Sequence, residues 1–77
     1  MSISAPQCQA ARALLGWSQD DLCKASGVGR ATLANFEAEK STPYERTLRD
    51  VAAALVKAGV LFIDPNGNGP GVRLRDK

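Results

Sequence analysis

The stretch SQDDLCKASGVGRATLANFE, residues 18–37, decides the fold, because it holds two short helical patterns separated by a glycine-bearing turn. The first pattern begins at Ser18, a favourable N-cap, and Asp21 follows where its carboxylate can return the capping hydrogen bond. It ends at Gly27, since glycine readily adopts the left-handed conformation that closes a helix. The second pattern runs over residues 30–39. We therefore predict a tight corner between two short helices.

Helical signals flank this corner on both sides. A first helix is predicted from residues 4–6 to Leu15, with Gly16 as its stop signal. A fourth helix is predicted to open with Thr42 as its cap, a proline in the first turn and Glu45 three residues after the cap. Apolar residues then recur in steps of four and three, the spacing of an amphipathic helix that faces a core. These residues are Tyr44, Leu48, Val51, Leu55 and Ala58.

The pattern changes after the fourth helix. Residues 60–63 are β-branched or bulky and apolar, and residues 71–75 alternate apolar with polar side chains, so both segments favour strands. The run between them, residues 64–70, has the composition of a turn. We predict a mainly α fold of four helices with a short C-terminal β-hairpin. The helices form residues 1–59, and residues 60–77 extend the same domain and are a candidate dimer contact.

Length and composition restrict the classes of function. The 77 residues make one small domain, and a net charge of +2 permits an anionic partner without requiring one. No stretch resembles a signal peptide or is long enough to cross a membrane, so we expect the cytoplasm. Cys8 and Cys23 are interpreted as small buried hydrophobic residues, with a disulfide or a metal site as alternatives. Because histidine is absent, we expect no metal and no cofactor.

The outward face of the second helix of the corner is small and nearly flat. With Leu33 as the inward reference at about 100° per residue, Phe36 and Glu37 also point inward. The outward positions are Ala31, Ala34, Asn35 and Ala38, with Arg30 at the N-terminal end. Such a face fits the major groove of DNA, where arginine pairs with guanine and asparagine with adenine. The alternative is that the alanines are present only as good helix formers.

Two charges interrupt apolar stripes. Arg12 lies on the inner stripe of the first helix, and Glu37 lies on the inner face of the helix predicted over residues 30–39. A buried charge is costly unless it is paired. We therefore expect Arg12 and Glu37 to form a structural ion pair with no catalytic role.

These residues resemble the Xre-type, lambda-repressor-like (Cro-like) helix-turn-helix transcription regulators. The resemblance covers residues 7–58, and the tail resembles the hairpin of some short members. It is carried by residues 11–19, Asp21-Leu22, Gly27-Val28, Thr32-Leu33, Phe36-Glu37 and Thr42-Pro43. It implies a bacterial or phage regulator, expected to be a repressor, that binds a double-stranded DNA operator as a homodimer.

The resemblance also implies a role for individual residues. Gln19, at the start of the second helix, would contact a DNA phosphate, and Lys40 and Ser41 would hold the phosphates of the other strand. The base-facing residues would be Arg30, Ala31, Thr32, Ala34 and Asn35. Arg12 and Glu37 would form the buried ion pair of the family.

Two positions depart from the family pattern. Gly29 stands where the family usually has serine or threonine as the cap of the recognition helix, so that helix start is expected to be weaker. Glu39 replaces a common glycine, which puts an acid near DNA and removes the easiest left-handed residue. Both departures predict modest DNA affinity for each monomer.

Two other classes of function are alternatives to DNA binding. A protein-interaction module, for example an antitoxin, would use the C-terminal strands to extend the sheet of a partner protein. An enzyme is not expected, because the chain has no histidine, no metal-ligand spacing and too little length to enclose a substrate.

Overall fold

The computed structural model describes residues 3–63 and 71–75. Four helices are followed by two strands: α1 (Ala5–Leu15), α2 (Gln19–Ser26), α3 (Arg30–Glu37), α4 (Glu45–Lys57), β1 (Val60–Ile63) and β2 (Gly71–Leu74). The prediction of a mainly α fold with a short C-terminal hairpin is confirmed. The turn predicted over residues 64–70 lies outside the described residues. No helix that the structure describes is both long and apolar enough to cross a bilayer.

Local capping explains where the first two helices begin and end. The Ser18 hydroxyl accepts a hydrogen bond from the Asp21 amide at 3.1 Å, and the Asp21 carboxylate accepts one from the Ser18 amide at 2.9 Å. These bonds to Ser18 hold the pKa of Asp21 below its usual value. A capping box of the same kind begins α1 at Ser4. Both helices end at a left-handed glycine, Gly16 and Gly27.

The start of α4 differs from the prediction. The helix begins at Glu45, and Tyr44 precedes it with an extended backbone and no side-chain capping bond, so Thr42 is not its cap. Thr42 precedes a proline, which favours an extended conformation and delays the helix. Because the backbone of Tyr44 is not helical, its side chain leaves the inner stripe and is 87% exposed. The placement of Tyr44 on the apolar stripe was therefore wrong, whereas Leu48 is buried as predicted.

The third helix is two residues shorter than predicted. α3 ends at Glu37, Ala38 is its C-cap, and Glu39 adopts a positive φ of 60°. The chain then turns back on the helix, because the amide of Lys40 donates to the carbonyl oxygen of Asn35 at 2.9 Å. Glu39 thus occupies the left-handed position at which glycine is favoured.

The core lies between the four helices and one face of the hairpin. The largest fully buried side chains are Leu22, Leu33, Leu55, Val51, Val60 and Cys8. β1 and β2 are antiparallel, with Phe62 opposite Val72, and both of these side chains lie against the core. The alternate residue Ile63 faces away and is 40% exposed. The Gln7 side chain donates to the Gly71 carbonyl at 3.2 Å and so joins α1 to β2.

Candidate nucleic-acid interface

The α3 helix presents a small, solvent-exposed face. Leu33, Phe36 and Glu37 are buried, and they fix the orientation of the helix against the rest of the domain. The opposite side is formed by Arg30, Ala31, Thr32, Asn35 and Ala38, which are exposed, and Ala34, which is half-buried. All five residues predicted to face bases therefore lie on one short helix with at least part of their surface accessible.

The N-terminus of α3 has no side-chain cap. Gly29 is the N-cap residue, and it can supply no hydroxyl or carboxylate to the first amides of the helix. A Cβ atom added at Gly29 meets no heavy atom within 4 Å, and the φ of −66° suits any residue. The first turn of α3 therefore lacks a side-chain cap, and position 29 has room for a larger residue.

Arg12 and Glu37 join α1 to α3. Arg12 Nη2 lies 2.6 Å from Glu37 Oε1, and Arg12 Nε lies 2.8 Å from Glu37 Oε2, which makes the pair bidentate. The side chains are 19% and 3% exposed, respectively. Arg12 Nη1 also donates to the carbonyl oxygen of Trp17 at 3.1 Å, so the guanidinium also fixes the loop between α1 and α2.

The Glu37 carboxylate also accepts hydrogen bonds from two neutral donors. Gln19 Nε2 donates to Oε1 at 2.9 Å, and the Cys8 thiol donates to Oε2 at 3.0 Å. Burial alone would raise the pKa of Glu37, but the bonds from Arg12, Gln19 and Cys8 outweigh it and lower the pKa. Glu37 is therefore held as a carboxylate, and it orients the groups around it.

Cys8 is the small buried residue that the sequence predicted, and its thiol also donates a hydrogen bond to Glu37. It is fully buried, and burial together with the neighbouring Glu37 carboxylate raises the pKa of its thiol far above the usual value. Cys8 and Cys23 are both free, so the alternative of a disulfide between them does not apply. Within residues 3–63 and 71–75, no cluster of three or more candidate metal-ligating side chains occurs.

Arg30 is held by two residues of α2. Its Nε donates to Gln19 Oε1 at 3.1 Å, and its Nη1 forms an ion pair with Asp20 Oδ1 at 2.5 Å. The side chains of Arg30 and Asp20 are 58% and 65% exposed, so this pair lies at the surface. The pairing of Asp20 could not be predicted from the sequence, because nothing in the local pattern relates Asp20 to a residue ten positions later on another helix.

The helix-turn-helix family model matches residues 9–55, which run from α1 almost to the end of α4. The chain belongs to this family. At the family level it is a DNA-binding regulator of the Xre and lambda-repressor-like type, in agreement with the resemblance of the sequence. No curated protein matches the chain.

In this helix-turn-helix domain, positive and negative groups alternate around α3. Lys40 and Ser41, which were predicted to contact phosphate, are exposed and directly follow the left-handed Glu39. The carboxylate of Glu39 is exposed beside them, and Asp20 lies beside Arg30. In the part of the chain that the structure describes, the exposed surface around α3 therefore carries charges of both signs.

Proposed function

We propose that this helix-turn-helix protein is a sequence-specific transcription regulator that inserts α3 into the major groove of DNA. The observation that carries the proposal is the exposed face of α3, which combines Arg30 and Asn35 with alanines. Small side chains let a helix approach the base edges, and the two polar side chains have the hydrogen-bonding groups that distinguish base pairs.

Each of the five residues predicted to face bases would contact a specific chemical group in the major groove. Arg30 would donate to the O6 and N7 atoms of a guanine, and Asn35 would pair with the N6 and N7 atoms of an adenine. The methyl groups of Ala31, Thr32 and Ala34 suit contact with thymine methyl groups or the edge of the backbone. One copy of α3 would therefore read a short site of a few base pairs.

Phosphate contacts would fix the position of α3 in the groove. Lys40 and Ser41 would hold one strand, and Gln19 at the first turn of α2 would hold the other. The Gln19 amide donates one hydrogen to Glu37, so its second hydrogen is the one that would reach a phosphate. These contacts add affinity on any sequence and add no base preference.

The regulator would act as a homodimer that represses transcription by occupying its operator. The short α3 reads too few base pairs to find one site in a genome, and a second copy doubles the site. The two half-sites would then form a palindrome with centres about 10 base pairs apart, one turn of the double helix.

Selection from random duplex DNA tests this proposal. The purified protein is mixed with a random library, and the bound duplexes are amplified and sequenced over several rounds. We expect enrichment of a two-fold symmetric sequence, with affinity that falls steeply as salt is raised. Enrichment of no sequence above the starting library would contradict the proposal, even if the protein retained DNA in general.

A second candidate function is a protein-interaction module, such as an antitoxin that binds its partner through the hairpin. The observation that favours it is the outer face of the hairpin, where Ile63 is 40% exposed and Leu61 is half-buried. Mass measurement by light scattering separates the two. A homodimer that binds DNA without other proteins supports the regulator alone, whereas a stoichiometric complex with a second protein after purification supports the module.

A further inference from the structure

We propose that Asp20 is a specificity-determining residue, which together with Gln19 holds Arg30 in the orientation that reads a base. The inference rests on the proposed function, in which Arg30 contacts a guanine. It assigns a role to an acidic side chain that simple charge attraction to DNA would disfavour. In the bound state, Arg30 would keep its contacts with α2 while it donates to the base.

Arg30 keeps several of its hydrogen-bond donors free. A guanidinium has five N–H donors. Within the described part of the chain, Nε donates to Gln19 and Nη1 donates to Asp20. These two bonds leave a hydrogen on Nη1 and both hydrogens on Nη2. That pair of nitrogens is sufficient for a bidentate contact with guanine, so the restraint is compatible with base readout.

The side-chain amide of Gln19 can point in only one direction. An ionised carboxylate only accepts hydrogen bonds, and a guanidinium only donates them. Gln19 lies between Glu37 and Arg30, so its NH₂ group must face Glu37 and its oxygen must face Arg30, as the distances of 2.9 Å and 3.1 Å show. The buried Glu37 thereby fixes the surface Arg30 through one intermediate side chain.

DNA phosphates would compete with the bases for Arg30. A free arginine on a DNA-binding surface can turn to the nearest phosphate, which is present on every sequence. Arg30 already has an anionic partner in Asp20, so exchanging that carboxylate for a phosphate would add little binding energy. The Asp20 carboxylate would also repel the DNA backbone. Non-cognate DNA is thus bound less well, while a guanine in the groove still receives the remaining donors.

The test measures discrimination at single base pairs with variants of the full chain. The selected operator and duplexes with one changed base pair are titrated against the wild type and against Asp20→Asn, Arg30→Ala and the double variant. The base pair read by Arg30 is the one whose discrimination Arg30→Ala removes. At that base pair we expect Asp20→Asn to reduce discrimination by about threefold or more, and to increase binding to non-cognate DNA.

Glu39→Gln is the matched control, because it also converts an exposed carboxylate beside α3 to an amide. It should strengthen binding to cognate and non-cognate duplexes by the same factor. In the Arg30→Ala background, Asp20→Asn should no longer change discrimination at that base pair, because the residue that it positions is absent. Asp20 is exposed, so circular dichroism should show the same fold for all variants.

The outcomes distinguish this inference from the proposed function. If the wild type selects no sequence, the proposed function fails and the inference fails with it. If the wild type selects a sequence but Asp20→Asn keeps full discrimination at the base pair read by Arg30, only the positioning role of Asp20 is overturned. An equal effect of Asp20→Asn and Glu39→Gln at every base pair would also overturn it.

Discussion

At the scale of single residues, the Glu37 carboxylate connects the core to the exposed face of α3 through Gln19. It accepts two bonds from Arg12 and one each from Gln19 and Cys8. A buried carboxylate that loses its cation keeps the cost of desolvation and loses the attraction that offset it. The stability of the fold should therefore be sensitive to Arg12, although its side chain is only partly buried.

Substitution of Arg12 tests this view. Arg12→Ala should lower the free energy of unfolding by about 3–5 kcal/mol, because it leaves Glu37 buried without its cation. Urea denaturation followed by circular dichroism measures the change. Arg49→Ala, which removes an exposed arginine from α4, is the matched control and should alter stability by less than about 0.5 kcal/mol. Similar effects for the two variants would refute the structural role of the pair.

The pH dependence of stability follows from the same group of residues. The pKa of Glu37 is lowered in the fold from an ordinary 4.5, so its contribution is present above pH 4.5 and is lost as the pH falls through the folded pKa. The pKa of Cys8 is raised from an ordinary 9.0, so its contribution is present below pH 9.0 and is lost progressively above it. Stability should therefore be highest between these limits.

Urea denaturation at a series of pH values checks both limits. Cys8→Ser keeps a hydrogen-bond donor that does not ionise in this range, so it should remove part of the loss of stability above pH 9.0. A loss of stability above pH 9.0 that is identical in the wild type and in Cys8→Ser would show that the thiol does not contribute to it.

The sequence predicted some of these contacts and missed others for a physical reason. Arg12 and Glu37 each interrupt an apolar stripe, so their partnership was visible from periodicity and the cost of buried charge. Cys8 and Gln19 are ordinary residues in their own helices. Their bonds to Glu37 depend on how helices pack across 29 and 18 positions of sequence, and no local pattern encodes that arrangement.

At the scale of elements, α3 is flanked at each end by a residue that stabilises the helix terminus poorly. Gly29 supplies no cap, and Glu39 carries the positive φ that follows the helix. The sequence indicated that both positions depart from the family pattern. It placed the end of the helix two residues too late, because alanine and glutamate at positions 38 and 39 are good helix formers and give no stop signal.

A serine at position 29 should strengthen the start of α3. Gly29→Ser adds a hydroxyl that can accept from the first amides of the helix, and its Cβ meets no neighbour within 4 Å. Gly29→Ala has the same backbone restriction without the hydroxyl and is the matched comparison. Thermal denaturation should show the serine variant to be more stable than the alanine variant by about 0.5–2 kcal/mol. Equal stability would mean that the N-terminus of α3 needs no cap.

A glycine at position 39 should remove backbone strain just after the C-terminal end of α3. Glu39 is in the left-handed region, which costs a residue with a side chain about 1–2 kcal/mol. Glu39→Gly should therefore raise the free energy of unfolding by about 1 kcal/mol. Glu39→Gln removes the charge but keeps the Cβ, so it should leave stability nearly unchanged. A gain with glutamine as large as that with glycine would assign the cost to charge instead of backbone conformation.

The start of α4 shows a limit of local reasoning about elements. Thr42, a proline and Glu45 form a plausible start signal, and Tyr44 fits the apolar spacing. In the structure the backbone of Tyr44 is not yet helical, and the ring is exposed. The spacing of Leu48, Val51 and Leu55 was sufficient to predict the buried face. It could not show where the chain leaving α3 first becomes helical.

At the scale of the whole molecule, β1 and β2 complete the core, and the outward face of α3 is exposed in the part of the chain that the structure describes. Val60 is fully buried, and Gln7 bonds the Gly71 carbonyl. Both features place β1 and β2 against α1 and α4. The sequence predicted the strands from their β-branched and alternating residues. It could not predict which helices they contact, because that depends on tertiary packing.

The size of the domain limits how much DNA one copy can contact. Its principal extents are 30 × 24 × 19 Å, and one α3 helix of 8 residues spans about 12 Å along its axis. Single DNA-binding modules bury about 600–1,000 Å² of protein surface. With acids beside Arg30 and Lys40, one copy should bind DNA weakly, and the proposed dimer provides the remaining affinity.

The most direct test of the central claim is the base-pair dependence of binding by Arg30→Ala. Equilibrium titration compares the wild type, Arg30→Ala and the control Arg49→Ala on the selected operator and on all its single base-pair variants. We predict that Arg30→Ala loses about 1–3 kcal/mol of discrimination at one base pair in each half-site and keeps its preferences elsewhere. A uniform loss of affinity on every duplex, or no loss at all, would contradict base readout by the exposed face of α3.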